Sequence, residues 1–145
     1  IAYNEIAHHC LGISIHFSPH EKWNYSFETD HLNQEVIEKL YNSMDRLNKG
    51  LPDVMGGYAT MSAAAKKAGA LDVKTKELIA IAISVANRCD GCIAAHTNAA
   101  AKHGVSREEL LETLGIAIYM GGGPSTVYAA QVLEAYDQFA SDKQQ

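Results

Sequence analysis

The run Leu78–Ala86, apolar at every position except Ser84, constrains this chain more than any other segment. With Lys74–Glu77 ahead of it, the run reads as a helix whose apolar face goes almost all the way round. A helix of that kind belongs at the centre of a fold. It is far too short for a membrane span, which needs ~20 apolar residues. A central helix requires other helices around it, and the flanking sequence supplies them.

Leu32–Asn48 sets Val36, Ile37, Leu40, Tyr41, Met44 and Leu47 on one stripe of helical period and runs out at Gly50. Pro52 suits the first turn of a second helix, predicted to continue through Ala63-Ala64-Ala65 to Gly69. Asp72 or Thr75 is placed to cap the central helix, Lys74–Ala86. Cys89–Gly91 reads as a turn, and Cys92–His103 as a fourth helix stopped by Gly104. Ser106 with Glu109 forms a capping box for a fifth helix, Arg107–Met120. Gly121-Gly122-Gly123-Pro124 breaks that helix, and Ser125–Ala140 is the sixth. With no Asn-Gly hairpin and no strand alternation in this part, the expected fold class is all-α, a bundle of about six helices.

Ile1–Asp30 has a different texture. It holds the only Trp, Phe17 and Phe27, and His8, His9, His16 and His20, without helical periodicity. It reads as an N-terminal extension, either an arm or a remnant of recombinant expression, ahead of a helical redox domain over 31–145. Its segment Leu11–Phe17 alternates enough for a short strand or for packing on a neighbour.

At 145 residues the chain accommodates one ordinary domain, and its 47% apolar and 20% charged residues match a globular protein with a sizeable core. A net charge of −5 without any basic run argues against a nucleic-acid partner, and no segment calls for a membrane. Three cysteines do not make a secreted disulfide framework. No apolar segment with a small-residue cleavage site opens the chain, so a cytoplasmic location is expected. Ala63–Ala65, Ala94, Ala95 and Ala99–Ala101 permit close helix approach. The third and sixth helices carry more apolar surface than so small a shell hides, so part of it is expected between subunits of a homo-oligomer.

Two of the cysteines stand in Cys89-Asp90-Gly91-Cys92, followed by His96. Thiols three positions apart on a helix lie roughly 5–6 Å from each other, within reach of a disulfide. His96 follows Cys92 by one helical turn on the same face. Only the thiolate attacks, and an ordinary cysteine with pKa near ~8.5 is mostly protonated at neutral pH. A helix N-terminus lowers that value and favours Cys89, which is expected nearer the solvent-facing turn; the imidazole favours Cys92. The roles therefore divide. Cys92 attacks an oxidant such as a hydroperoxide and becomes a sulfenic acid, and Cys89 condenses with it to a disulfide. An external dithiol then attacks the more exposed sulfur, expected to be Cys89, and restores the pair. Gly91 keeps the turn open.

Glu77 is a carboxylate in an apolar run, and a lone buried charge is costly, so it needs a partner. It precedes Cys89 by twelve residues, roughly 18 Å of helix at ~1.5 Å per residue, and His96 returns only about half of that. Contact between the two requires an early helix end, a steep crossing or a bridging water.

The pattern E-x11-C-x2-C-x3-H, made by Glu77, Cys89, Cys92 and His96, resembles the alkylhydroperoxidase D-like branch of the carboxymuconolactone decarboxylase family. Lys76-Glu-Leu-Ile-Ala-Ile-Ala and Gly121-Gly-Gly-Pro124 are also similar to that family, and the resemblance spans about Leu32 to Ala140. It implies a helical bundle assembling into homotrimers or homohexamers. It also implies thiol-dependent reduction of peroxides or disulfides in antioxidant defence, with Cys92 attacking, Cys89 resolving, and His96 and Glu77 relaying protons. The partners implied are a hydroperoxide or disulfide substrate and an external dithiol reductant, with no cofactor and no metal. The peroxidase relatives carry a histidine just before the second cysteine where this chain has Gly91, so disulfide reduction is as credible as peroxide reduction. The decarboxylase branch lacks the CxxC pair.

Two rival readings stand beside this one. The CxxC could be half of a zinc site on a structural helical assembly, with His96 and then His103 or Glu77 as further ligands. Alternatively, Glu77 and His96 could perform acid–base work on a small carboxylic acid. Elsewhere, His103 reads as a helix C-terminal cation, and Cys10 with His8 and His9 as incidental. Tyr119, Met120 and Tyr128 read as core, and Lys74 and Lys76 as a solvated face.

Overall fold

The computed structural model describes residues 32–141, and these form six helices with no strand. In chain order they are α1 Leu32–Gly50, α2 Pro52–Lys66, α3 Val73–Asn87, α4 Asp90–Lys102, α5 Arg107–Gly121 and α6 Gly123–Ser141. The all-α expectation holds. The N-terminal extension, including Cys10 and its histidines, lies outside the described residues.

Local chemistry sets the boundaries. On α1, Lys39 pairs with Glu35 and Lys49 with Asp45, each one turn apart and exposed; such pairs contribute about 0.3–0.5 kcal/mol each. Pro52 opens α2. The Asp72 side chain accepts from the Thr75 amide at 2.7 Å and starts α3. Hydrogen bonds from the Thr75 side chain and then its amide hold the Asp72 carboxyl below the usual carboxylate range. Ser106 and Glu109 form the expected capping box on α5, with bonds of 2.8 and 3.2 Å. Between α5 and α6 stands Gly122 alone, at φ 70°. A left-handed φ is open to glycine at little cost. Pro124 therefore does not break a helix but sits in the first turn of α6, where its missing N–H is not needed. A Cβ on Gly121 would overlap the Ser125 side chain, so the α5–α6 junction also needs glycine for space.

α2 stops at Lys66 rather than at Gly69. The cause is Lys76, whose Nζ donates to Ala65 O at 2.8 Å and Lys67 O at 2.6 Å, capping α2 from the first turns of α3. Lys74 pairs with Glu109 at 2.6 Å, linking α3 to α5. Both lysines thus make tertiary contacts and are not merely a solvated face.

α3 is central, packed against α4, α5 and α6. Its Ile81 and Val85 meet Ile93 and Ala100 of α4, Leu110 and Leu114 of α5, and Ala129 and Val132 of α6. Beside this core, Ile37 of α1 packs with Ala94 and Ala101 of α4 and Ala135 and Phe139 of α6. Alanine at those positions lets α4 and α6 approach closely. Tyr136 Oη donates to Val105 O at 2.6 Å and ties α6 to the α4–α5 connection.

Some apolar surface is not covered. Ile79 and Ile83, one turn apart on the central helix, are 44% and 54% exposed. Tyr119 and Met120 are 81% and 75% exposed, which corrects their reading as core, while Tyr128 does pack against it. No residue of α2 is buried. Among the described residues, no helix is long and apolar enough to cross a membrane.

Candidate active site

α3 and α4 are joined by only two residues, Arg88 and Cys89. Arg88 closes α3 in the left-handed conformation (φ 55°, ψ 45°), its N–H reaching the carbonyls of Ser84 and Val85. A residue with a Cβ spends about 1–2 kcal/mol there. Cys89 follows in extended conformation as the N-cap of α4, which begins at Asp90 rather than at Cys92. Its sulfur accepts from the Cys92 amide at 3.3 Å, a role sequence reading reserves for oxygen side chains. Both sulfurs therefore belong to the first turn of one helix, where unpaired amides carry partial positive charge.

Cys89 and Cys92 are bonded through their sulfurs, with Cα atoms 5.3 Å apart. Their exposure reverses the expected order. Cys92 is exposed, whereas Cys89 is partly buried, its sulfur turned back over the helix end it caps. Leu40 of α1 covers the same turn: a Cβ on Gly91 would lie 3.3 Å from its Cδ2.

His96 lies one turn beyond Cys92 on α4, and its Nδ1 is 2.7 Å from Glu77 Oε2 of α3. The Glu77 side chain is 4% exposed and that of His96 32%. The contact is direct and α3 runs its expected length, so crossing of α3 over α4 and side-chain reach make up the shortfall in simple antiparallel geometry. An ionised carboxylate only accepts, so Nδ1 carries the proton and Nε2 is the basic nitrogen. Glu77 thereby fixes both the tautomer and the orientation of the ring.

The structure thus brings the four residues together as two bonded pairs, Cys89 with Cys92 and Glu77 with His96, joined through adjacent turns of α4. The groove between α1 and α2, of about 550 Å³ and lined by Met44, Met55 and Tyr58 among others, contains none of them. Among the described residues no three His, Cys, Asp or Glu side chains are grouped to hold a metal ion. Sequence reading placed Leu40 on the apolar stripe of α1 without its contact to this turn, and gave Arg88 no role as the helix end before Cys89. No sequence signal marked Arg88 as the helix end, because a left-handed C-terminal residue is usually announced by glycine or asparagine.

Residues 52–135 match the model of the carboxymuconolactone decarboxylase family, more than half of the chain. The chain belongs to that family. Two relatives, uncharacterised proteins of Cupriavidus necator and Haemophilus influenzae, are 41% and 40% identical over 101 and 103 residues. Those matches cover 70% and 71% of this chain and 89% and 91% of the relatives. A carboxymuconolactone decarboxylase family protein of Legionella pneumophila, solved in its apo form, superposes with a TM-score of 0.75 at 46% identity. That match covers 76% of this chain and 98% of the other. A family member from Thermotoga maritima, described as a candidate for involvement in antioxidative response, gives 0.65 at 28% identity, over 73% and 93% of the two chains.

Proposed function

We propose that this family member is a thiol-dependent oxidoreductase that reduces hydroperoxides or disulfides. The observation that carries the reading is the sulfur pair on the first turn of α4 beside an imidazole whose tautomer a buried carboxylate sets. The antioxidative description of the Thermotoga protein supports the same direction.

In the reduced state, Nε2 of His96 takes the proton of the Cys92 thiol. The thiolate attacks the distal oxygen of a hydroperoxide, the O–O bond breaks, and the alkoxide leaves as an alcohol with a proton returned by His96. Cys92 is now a sulfenic acid. The Cys89 thiolate attacks its sulfur, water leaves, and the disulfide forms. With a disulfide substrate, Cys92 displaces one thiolate and Cys89 the second, giving the same oxidised pair. The exposures redirect the return half of the cycle. An external dithiol attacks the exposed Cys92 sulfur, and Cys89 leaves as a thiolate at the helix N-terminus, which favours the charge. The second thiol of the reductant then frees Cys92. A pair that cycles in this way fits a reducing compartment such as the cytoplasm.

One equivalent of organic hydroperoxide should remove two thiols from the fully reduced protein. Cys92→Ser should abolish turnover, and Cys89→Ser should stop at a sulfenic acid trapped by dimedone. Full activity in Cys92→Ser would sink the reading. Unchanged turnover after alkylation of both thiols would transfer the function to acid–base chemistry by Glu77 and His96. The exposed Ile79, Ile83, Tyr119 and Met120, with an α2 that has no fully buried residue, support self-association, for which the family resemblance implies a homotrimer or homohexamer.

A further inference from the structure

Gly91 stands in the first turn of α4, between the two cysteines, and its backbone is helical. Among the described residues the glycines with positive φ are Gly104 and Gly122. The conformational freedom of Gly91 is therefore unused, although glycine within a helix is up to about 1 kcal/mol less favourable than alanine. What the position uses is space. A Cβ there would stand 3.3 and 3.6 Å from the two methyl carbons of Leu40 and 4.0 Å from its Cγ, so the isobutyl group lies directly on the dithiol turn. α1 is pinned in that place by Ile37, which is buried against Ala94 and Ala101 further along α4. Residues advancing on α1 thus meet residues receding on α4, and Leu40 falls at the end of α4 that carries the sulfurs. Leu40 is half-buried there, while Tyr41 and Leu47 of the same stripe are exposed. Beside this cover the two sulfurs differ: Cys89 is partly buried and Cys92 is exposed.

We infer that Leu40 is a specificity-determining residue of the thiol cycle: it shields the Cys89 side of the turn, so that oxidant and reductant both meet Cys92. The inference rests on the dithiol reading above. Exchange at a disulfide depends on which sulfur an incoming thiolate can approach. A reductant thiolate that attacks Cys92 Sγ breaks the S–S bond, and the electron pair leaves with Cys89 as a thiolate at the helix N-terminus. Attack on Cys89 would instead release Cys92 and leave the mixed disulfide beneath Leu40, where the second thiol of the reductant has poor access. An apolar cover suits this task, because it turns away a solvated thiolate without offering it a hydrogen bond.

The test uses the full chain, first with either Cys89 or Cys92 replaced by serine, and the neutral reagent iodoacetamide. Rates are read where they have stopped rising with pH, so that access and not ionisation is measured. In Cys92→Ser, adding Leu40→Ala should speed alkylation of Cys89 about tenfold, whereas in Cys89→Ser it should leave Cys92 within about twofold. Leu40→Met keeps the bulk of the side chain and should leave both rates near their starting values. With both cysteines present and oxidised, glutathione added before an acid quench should be found by peptide mass spectrometry on Cys92 in the parent. In Leu40→Ala it should be found on both sulfurs. An unchanged Cys89 rate in Leu40→Ala overturns the inference, and so does an equal rise at both sulfurs, the mark of a turn that has merely loosened. Glutathione on Cys89 of the parent overturns it too. If the reduced parent loses no thiols to a hydroperoxide or a disulfide, the dithiol reading falls and the role of Leu40 with it. Thiol loss intact beside an unchanged Cys89 rate removes Leu40 alone.

Discussion

Glu77 spends its working life almost out of contact with water, and His96 is what makes that tolerable. Replacing the carboxylate by an amide keeps the shape but no longer dictates which ring nitrogen is protonated. Glu77→Gln is therefore expected to lower turnover about a hundredfold, the scale of a lost general base, while the thiol count stays at its wild-type value. Stopped-flow kinetics beside a thiol titration separates the two. Thr97, the next residue on α4, is fully buried and its hydroxyl has no hydrogen-bond partner among the described residues. A buried orphan costs about 1–3 kcal/mol, so Thr97→Val should raise the urea midpoint without touching the chemistry; a lower midpoint would show that the hydroxyl is satisfied. Residue by residue, the sequence was readable where chemistry is local. Cys89, Cys92 and His96 announce themselves by spacing, and Glu77 by standing in an apolar run. That Glu77 reaches His96 was not readable, because it depends on how two helices cross. Nor was the job of Lys76, whose acceptor carbonyls exist only once α2 has ended and the chain has folded back.

Helix ends carry the next level of specification. The caps of α3 and α5 were legible as Asp72 and as the Ser106–Glu109 box, since these are oxygen side chains at standard offsets. The start of α4 was misplaced because a cysteine caps it. Both capping carboxylates are held below the usual carboxylate range, Asp72 by the bonds from Thr75 and Glu109 first by Lys74 and then by the Ser106 amide. A carboxyl whose folded pKa is depressed contributes its full stabilisation above its unfolded pKa and loses it as pH falls through the folded value. Stability should accordingly decline as the solution is acidified below about pH 4, the ordinary carboxylate region. In Asp72→Asn and Glu109→Gln that acid limb should be shallower than in wild type. Denaturant midpoints measured from neutral pH downward check this, and parallel curves would refute it. High salt should weaken the Lys74–Glu109 share, because that pair is partly exposed.

The whole molecule has an unequal distribution of burial. Its centre is well filled around Ile81, Val85, Leu110 and Val132, while the apolar stripe of α3 at Ile79 and Ile83 and the end of α5 at Tyr119 and Met120 face outward. Sequence reading anticipated surplus apolar surface but not its location, which depends on which face of α3 its own chain covers. If a second copy covers these faces, light scattering should report a trimer or hexamer at micromolar concentration. Ile83→Glu combined with Tyr119→Glu should yield a folded monomer, and an unchanged mass in that variant would exclude this face as the contact. α2 gives the same question a finer instrument. It is fastened at one end by Lys76 and, among the described helices, packs chiefly on α1. A helix with so little at stake in the interior opens without the rest of the molecule unfolding, so its amide hydrogens should exchange long before those of α3. Their exchange rate would then track protein concentration wherever neighbours shelter α2, turning one loosely held helix into a gauge of how crowded the protein is with copies of itself.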